Sequence, residues 1–178
     1  MSTPINYDQI KEYQDTPVIS GEWEIQDADD ELRPIADFIK QRTQHNEYIS
    51  PERIKFLYGT KAVKSGGRYV TGILKKRDNF EKSINDDFDF IVVVYYKLWQ
   101  ELDIENKTIQ LDKIISGIDP EKMTKKTPDV SEFTGNMRFF GADIVLNSSE
   151  VVDMTVTRIV EEEKEAKKND KQALKHGE

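Results

Sequence analysis

The sequence contains no cysteine and only two histidines, His45 and His176, in 178 residues. Without thiols the chain forms neither disulfide bonds nor thiolate metal sites, and the absence fits a reducing compartment. The two histidines are far apart in the sequence, and His176 lies in a polar tail. We therefore expect no zinc site built on clustered histidines and no bound cofactor.

Long apolar runs are also missing. No segment approaches the roughly 20 apolar residues that span a bilayer. The N-terminal stretch MSTPINYDQIKEY has neither a basic start nor an apolar segment, so it shows no signal peptide. The expectation is a soluble cytoplasmic protein with no membrane contact.

Charge is abundant and uneven. The formal net charge is −8, yet residues 51–80 contain 8 basic and only 2 acidic residues. This basic segment surrounds a Gly-Gly turn and contributes the candidate partner-binding residues Lys61, Lys64, Arg68, Lys75, Lys76 and Arg77. Such a segment either contacts phosphates or an acidic partner, or is a solvated hairpin whose lysines protect sheet edges from aggregation.

An acidic cluster precedes the first apolar stripe. Its members are Asp27, Asp29, Asp30 and Glu31. One interpretation is an acidic patch that mimics DNA phosphates and occupies a basic surface. The other is stabilisation of a helix N-terminus, where negative charge favours the helix dipole.

Apolar periodicity predicts the order helix, three strands, three helices. Helix 29–44 is followed by the strands RIKFLYGT, RYVTGILKK and DFIVVVYY, the last with the unbroken apolar run of a central strand. Three later helices are predicted around LDKIISGID, around DVSEFTGNMRFFG with Gly141 after its end, and from Asn147 or Ser148 onward. Lys113 and Gly117 interrupt the apolar pattern of the first of these three.

This order predicts an α+β fold, with a small, mostly antiparallel three-stranded sheet packed by helices. We expect an irregular N-terminal arm over residues 1–27 and one α+β domain over residues 28–160. Residues 161–178 are predicted to form a charged, fraying C-terminal helix or tail.

Several segments resemble, in order, the putative phage metallopeptidases, a zincin-like family of bacteriophages and prophages. RIKFLYGTKAVKSGGRYVTGILKKRD is similar to the first hairpin of the family. FDFIVVVYYKLWQEL is similar to its most recognisable strand, and TPDVSEFTGNMRFFG to its late helix. The resemblance implies a zincin-like core and, for a phage-encoded protein, the cytoplasm of the host cell.

The sequence departs from the family where zinc chemistry is expected. The helix after the third strand should read roughly LDHELxH, a form of HExxH in which two histidines hold zinc and the glutamate is the base. The aligned positions hold Lys113, Ile114 and Gly117, and the third-ligand position falls near Pro128. None of these side chains replaces its counterpart. The resemblance therefore implies a metallopeptidase scaffold that has lost its catalytic site.

Three functions remain open. The first is a non-catalytic protein that binds a host or phage protein, as an inhibitor or modulator, through the former substrate groove at Lys113, Ser116 and Gly117 and the basic hairpin. The second is a nucleic-acid-binding or DNA-mimic protein. The third is a hydrolase whose metal is held by carboxylates such as Asp112 and Asp119.

Overall fold

The computed structural model of the chain describes residues 5–10, 25–42, 49–84, 87–126 and 134–175. Pro128, both histidines and most of the predicted N-terminal arm lie outside these ranges. Within them the helices are α1 Asp29–Arg42, α2 Asn79–Ile84, α3 Tyr96–Glu101, α4 Ile104–Ile115, α5 Thr134–Phe140 and α6 Ala142–Lys175. The strands are β1 Ile25–Asp27, β2 Ile54–Gly59, β3 Val63–Ser65, β4 Arg68–Val70, β5 Gly72–Lys76, β6 Phe90–Tyr95, β7 Ile118–Asp119 and β8 Thr124–Lys125.

The main sheet has four strands in the order β1-β2-β6-β5. β2 and β6 run parallel, while both outer strands pair antiparallel with their neighbours. The α+β class is confirmed, but the prediction of a mostly antiparallel three-stranded sheet is wrong. The three residues of β1 are too few to show the alternation that marks a strand. β2 and β6 form a parallel pair because β6, although it follows β5 in the chain, lies between β2 and β5 in the sheet.

The segment predicted as one strand over RYVTGILKK divides at Thr71 into β4 and β5. β4 pairs with β3 through a turn at Gly66 and Gly67, which have positive φ angles of 58° and 84°. β5 instead joins the main sheet beside β6. Gly72 permits this close pairing, because a Cβ atom there would lie 2.3 Å from the Val93 carbonyl oxygen.

Helices cover the sheet and bury its apolar side chains. The predicted stripe of α1, formed by Leu32, Ile35, Phe38 and Ile39, is buried as expected. The central position predicted for the DFIVVVYY strand is also confirmed, since β6 pairs on both sides and is buried at Phe90, Val92, Val94 and Tyr95. Leu98 and Trp99 of α3 are fully buried in the same core.

α4 ends at Ile115, so the helix predicted around LDKIISGID stops before Gly117. The Gly117 carbonyl accepts a hydrogen bond of 2.8 Å from the Lys126 backbone, and the chain then enters the β7–β8 hairpin. Gly117 therefore lies beyond the helix. Glycine lowers helix stability only at positions inside a helix, so Gly117 does not destabilise α4 in this way.

α6 begins at Ala142, not at Asn147 or Ser148 as predicted. Gly141 has a φ of +100°, which ends α5 as predicted, and its carbonyl accepts from the Val145 backbone to start α6 at once. α6 buries Val152, Val156 and Ile159 and continues as a helix to Lys175, with exposed side chains at positions 164–172. No helix in the described ranges combines the length and hydrophobicity needed to cross a membrane.

Candidate functional site

A cleft of about 320 Å³ lies between the strand segment 69–74, α4, the β7–β8 hairpin and α6. Lys113, Ile114 and Gly117 line it together. These are the three motif positions that fall within the described residues. The fold therefore brings them to one concave surface, although Gly117 is not part of the helix that carries the other two.

The cleft walls are joined by a chain of buried polar side chains. The Thr71 hydroxyl donates to Gln110 Oε1 over 3.0 Å, and Gln110 Nε2 donates to the Ser148 hydroxyl over 2.9 Å. Each of these residues is at most 3% exposed. Because buried polar groups are costly when unpaired, this chain fixes the strand segment, α4 and α6 relative to one another.

Lys113 lies at the side of the cleft formed by α4 and α6. Its ammonium donates to the Ser149 hydroxyl over 3.1 Å, and that hydroxyl in turn donates to the Val145 carbonyl. Lys125 and Lys126, which are exposed, contribute two further ammonium groups to the lining. The described residues of the lining thus include three lysines and neither aspartate nor glutamate.

The carboxylates proposed as an alternative metal site are placed differently. Asp112 is 2% exposed, on α4. Asp119 accepts hydrogen bonds from the Glu121 and Lys122 backbones, and the one from Lys122 is the main reason that the pKa of its carboxyl lies below the usual value. No group of three or more histidine, cysteine, aspartate or glutamate side chains arranged to hold a metal occurs in the part of the chain that the structure describes.

The predicted basic surface does not coincide with the cleft. The candidate partner-binding residues are the six of the basic segment together with Lys113. All seven lie in described ranges, and only Lys113 lines the cleft. Arg77 is 6% exposed and donates to the Phe88 and Glu81 carbonyls, while Lys75 pairs with Glu81 at 3.2 Å. The remaining members, all exposed, are Lys61, Lys64, Arg68 and Lys76.

Most of the predicted acidic patch makes contacts within the fold. Asp29 accepts from the Phe56 backbone and pairs with Lys55 and Arg33, and Lys55 also contacts Asp27.

Glu31 accepts hydrogen bonds from the Tyr58 hydroxyl, the Trp99 indole and the Lys107 ammonium, the last two over 2.9 and 3.2 Å. Burial, and next the bond to Glu31, raise the pKa of the Tyr58 hydroxyl. Of the three members of the acidic patch that lie on α1, Asp30 is the exposed one.

Sequence reasoning missed Gln110, Lys125, Lys126 and Ser149. The stretch EKMTKKTP has the composition of a polar loop, and no periodicity places its lysines near α4. The β7–β8 hairpin does so, through the bond from the Lys126 backbone to Gly117. The adjacent lysines were the available signal, but two-residue strands are too short to be recognised from sequence.

Comparison with known proteins gives one result that bears on this site. The profile of a family described as putative phage metallopeptidase matches residues 23–163, which is well over half of the chain and includes the described walls of the cleft. No curated protein and no solved structure matches the chain significantly.

Proposed function

The chain belongs to the putative phage metallopeptidase family, and on this premise we propose that it is a non-catalytic member that binds a protein partner in the cleft beside α4. The observation that carries the proposal is the lining of this cleft. It contains Lys113, Ile114 and Gly117 where the family resemblance calls for two histidines and a glutamate.

The chemistry of these side chains supports a loss of catalysis. A protonated lysine repels a dication, and isoleucine and glycine offer no ligand atom. Peptide hydrolysis by a metallopeptidase also needs a base beside the metal-bound water, and Ile114 cannot be that base. A hydrolase with a carboxylate metal site is disfavoured because Asp112 is buried in the fold and the Asp119 carboxylate accepts a hydrogen bond from the turn that follows it.

The shape of the site supports protein binding. β5 is an outer strand of the main sheet, and Gly72, Ile73 and Leu74 of this strand line the cleft. An outer strand offers backbone groups to an extended segment of another chain. We propose that a segment of a host or phage protein lies there and that its binding inhibits or modulates that protein.

Two measurements test the loss of catalysis. Metal analysis of protein purified with zinc is expected to show no stoichiometric metal, and a mixture of fluorogenic peptides is expected to remain uncleaved. One equivalent of zinc whose removal by a chelator abolishes peptide cleavage would refute the proposal.

Site-specific photocrosslinking tests the binding surface. A photoreactive amino acid at Ile73, which lines the cleft and is 42% exposed, is expected to capture a discrete partner in bacterial lysate. The matched control is the same substitution at Phe80, which is 74% exposed and does not line the cleft. Equal capture from both positions, or a captured nucleic acid instead of a protein, would argue against the proposed site.

A further inference from the structure

We infer that the cleft selects an anionic partner segment, a peptide whose glutamate or aspartate carboxylates lie against Lys113, Lys125 and Lys126. This inference rests on the proposed function, since it specifies the chemistry of the protein segment that the cleft would hold.

The charge of the lining contrasts with the charge of the chain. The protein carries a formal net charge of −8, with 34 acidic and 26 basic residues. The described lining of the cleft nevertheless contains three lysines and no acid. A concave site lined by one sign of charge concentrates ligands of the opposite sign.

The lysines are attached to elements whose positions are fixed. Lys113 contacts Ser149 across the α4–α6 boundary, and these helices are joined by the buried bond between Gln110 and Ser148. Lys126 is tied through its backbone to Gly117, which follows α4. The fold therefore positions the backbone that carries these lysines, so binding orders only their side chains, which costs less entropy than ordering a mobile loop as well.

The rest of the lining favours a peptide over a nucleic acid. Val70, Ile73, Ile114 and Val152 give the cleft an apolar surface that accommodates aliphatic side chains. A volume of about 320 Å³ holds only a few side chains, whereas nucleic-acid binding uses a longer basic groove that neutralises several phosphates. The acidic remainder of the protein also repels a long polyanion more strongly than a short peptide with a few carboxylates.

Fluorescence anisotropy with defined probes tests the inference. The probes are a short fluorescein-labelled peptide that alternates valine with glutamate, the same peptide with glutamine, and a labelled thymidine oligonucleotide, all at low salt. We expect the glutamate peptide to bind at least about tenfold more tightly than the other two, and its affinity to fall as salt screens the charges.

Charge reversal locates the binding. The double variant Lys125→Glu with Lys126→Glu is expected to weaken binding of the glutamate peptide by about tenfold or more. Lys164→Glu with Lys168→Glu is the matched control, because it makes the same charge change at two exposed lysines of α6 that do not line the cleft. We expect it to change the affinity by no more than about twofold, and thermal unfolding verifies that all variants are folded.

Other outcomes are separable. Equal binding of the glutamine peptide at the cleft would overturn the charge preference and leave the proposed binding function intact. Tighter binding of the oligonucleotide, equal losses in both variants, or no binding of any probe would also overturn the inference. Cleavage of the peptides would instead refute the proposed non-catalytic function.

Discussion

At the scale of single residues, Asp89 shows how a conspicuous sequence feature serves the fold. It lies between Phe88 and Phe90, directly before β6, and its side chain is 3% exposed. Its carboxylate accepts from Arg53 and Lys82, while its backbone connects the ends of β2 and β5 through Arg53 and Arg77. One residue thus fastens three strands at the same end of the sheet.

Replacing Asp89 by asparagine is expected to lower the free energy of unfolding by about 2 kcal/mol at neutral pH. The change removes the negative charge and leaves Lys82 and Arg53 without their shared carboxylate. Urea unfolding measures the loss. Asp170→Asn is a suitable control for the charge change, since Asp170 is exposed on α6. If the control variant lost as much free energy of unfolding as Asp89→Asn, a specific role for Asp89 would be contradicted.

The same contacts give a pH dependence. Burial alone would raise the pKa of the Asp89 carboxyl, but the hydrogen bonds from Lys82 and Arg53 outweigh burial and hold this pKa below its ordinary value of 3.8. The stabilisation is therefore present above about pH 4 and is lost as the pH falls through the lowered pKa. The unfolding free energy of Asp89→Asn is expected to fall less steeply in this acidic range than that of the parent protein.

At the scale of elements, the end of α4 decides how residues 113 and 117 are placed relative to each other. Lys113 and Gly117 are four apart in sequence, a spacing that places two side chains on one face only within a helix. α4 ends at Ile115, so Gly117 follows the chain toward β7. Two histidines introduced at these positions are therefore not expected to form a helical zinc-binding pair.

The double variant Lys113→His with Gly117→His is accordingly expected to bind Zn²⁺ weakly. The control is Glu161→His with Glu165→His, which places two histidines four apart on the exposed, continuous helix α6. Isothermal titration calorimetry is expected to show at least about tenfold higher affinity for the control pair. Equal or tighter binding at the α4 pair would show that residue 117 can complete a helical metal pair.

Much of the element order could be predicted from sequence, because α1 has an apolar stripe at helical spacing and β6 has an unbroken apolar run. The sheet topology could not, because β1 has three residues and β5 lies on the far side of β6. The same holds for the cleft. The motif residues on α4 could be aligned with a family pattern, whereas Lys125 and Lys126 join them only through a hairpin of two-residue strands.

Charge patterns in the sequence also did not distinguish charged residues that face solvent from charged residues that make contacts within the fold. Arg77 reads as part of a basic patch, yet it is buried and donates to two backbone carbonyls. Glu31 reads as part of an acidic patch, yet it accepts from Trp99, Lys107 and Tyr58. Composition reports how many charges exist, but only the tertiary contacts show which of them face a partner.

At the scale of the whole molecule, α6 extends from the cleft, across the body of the protein, to an exposed helical segment. Its first half lines the cleft through Ser149 and Val152. Its middle packs on the body, where Arg158 contacts Glu101 and Glu163 pairs with Lys97 at 2.5 Å. Beyond Glu163 the described side chains of the helix, as far as Gln172, are exposed.

A chain that ends at Lys167 is expected to keep its stability within about 0.5 kcal/mol, because it loses only exposed positions among those described. A chain that ends at Val156 also loses the buried Ile159 and both ion pairs, so a loss of at least about 2 kcal/mol is expected. Chemical denaturation compares the two. A large loss in the first chain would mean that the C-terminal segment stabilises the body.

Because α6 is one continuous helix, distances along it can be calculated from the rise per residue. With a rise of about 1.5 Å per residue, Gln172 lies about 30 Å along the helix from Val152 at the cleft. The chain has no cysteine of its own, so Gln172→Cys supplies a single thiol for a donor dye, at a site remote from any ligand in the cleft. Resonance energy transfer from that dye to a labelled ligand then reports the distance of the bound ligand from position 172, independently of how tightly the ligand binds.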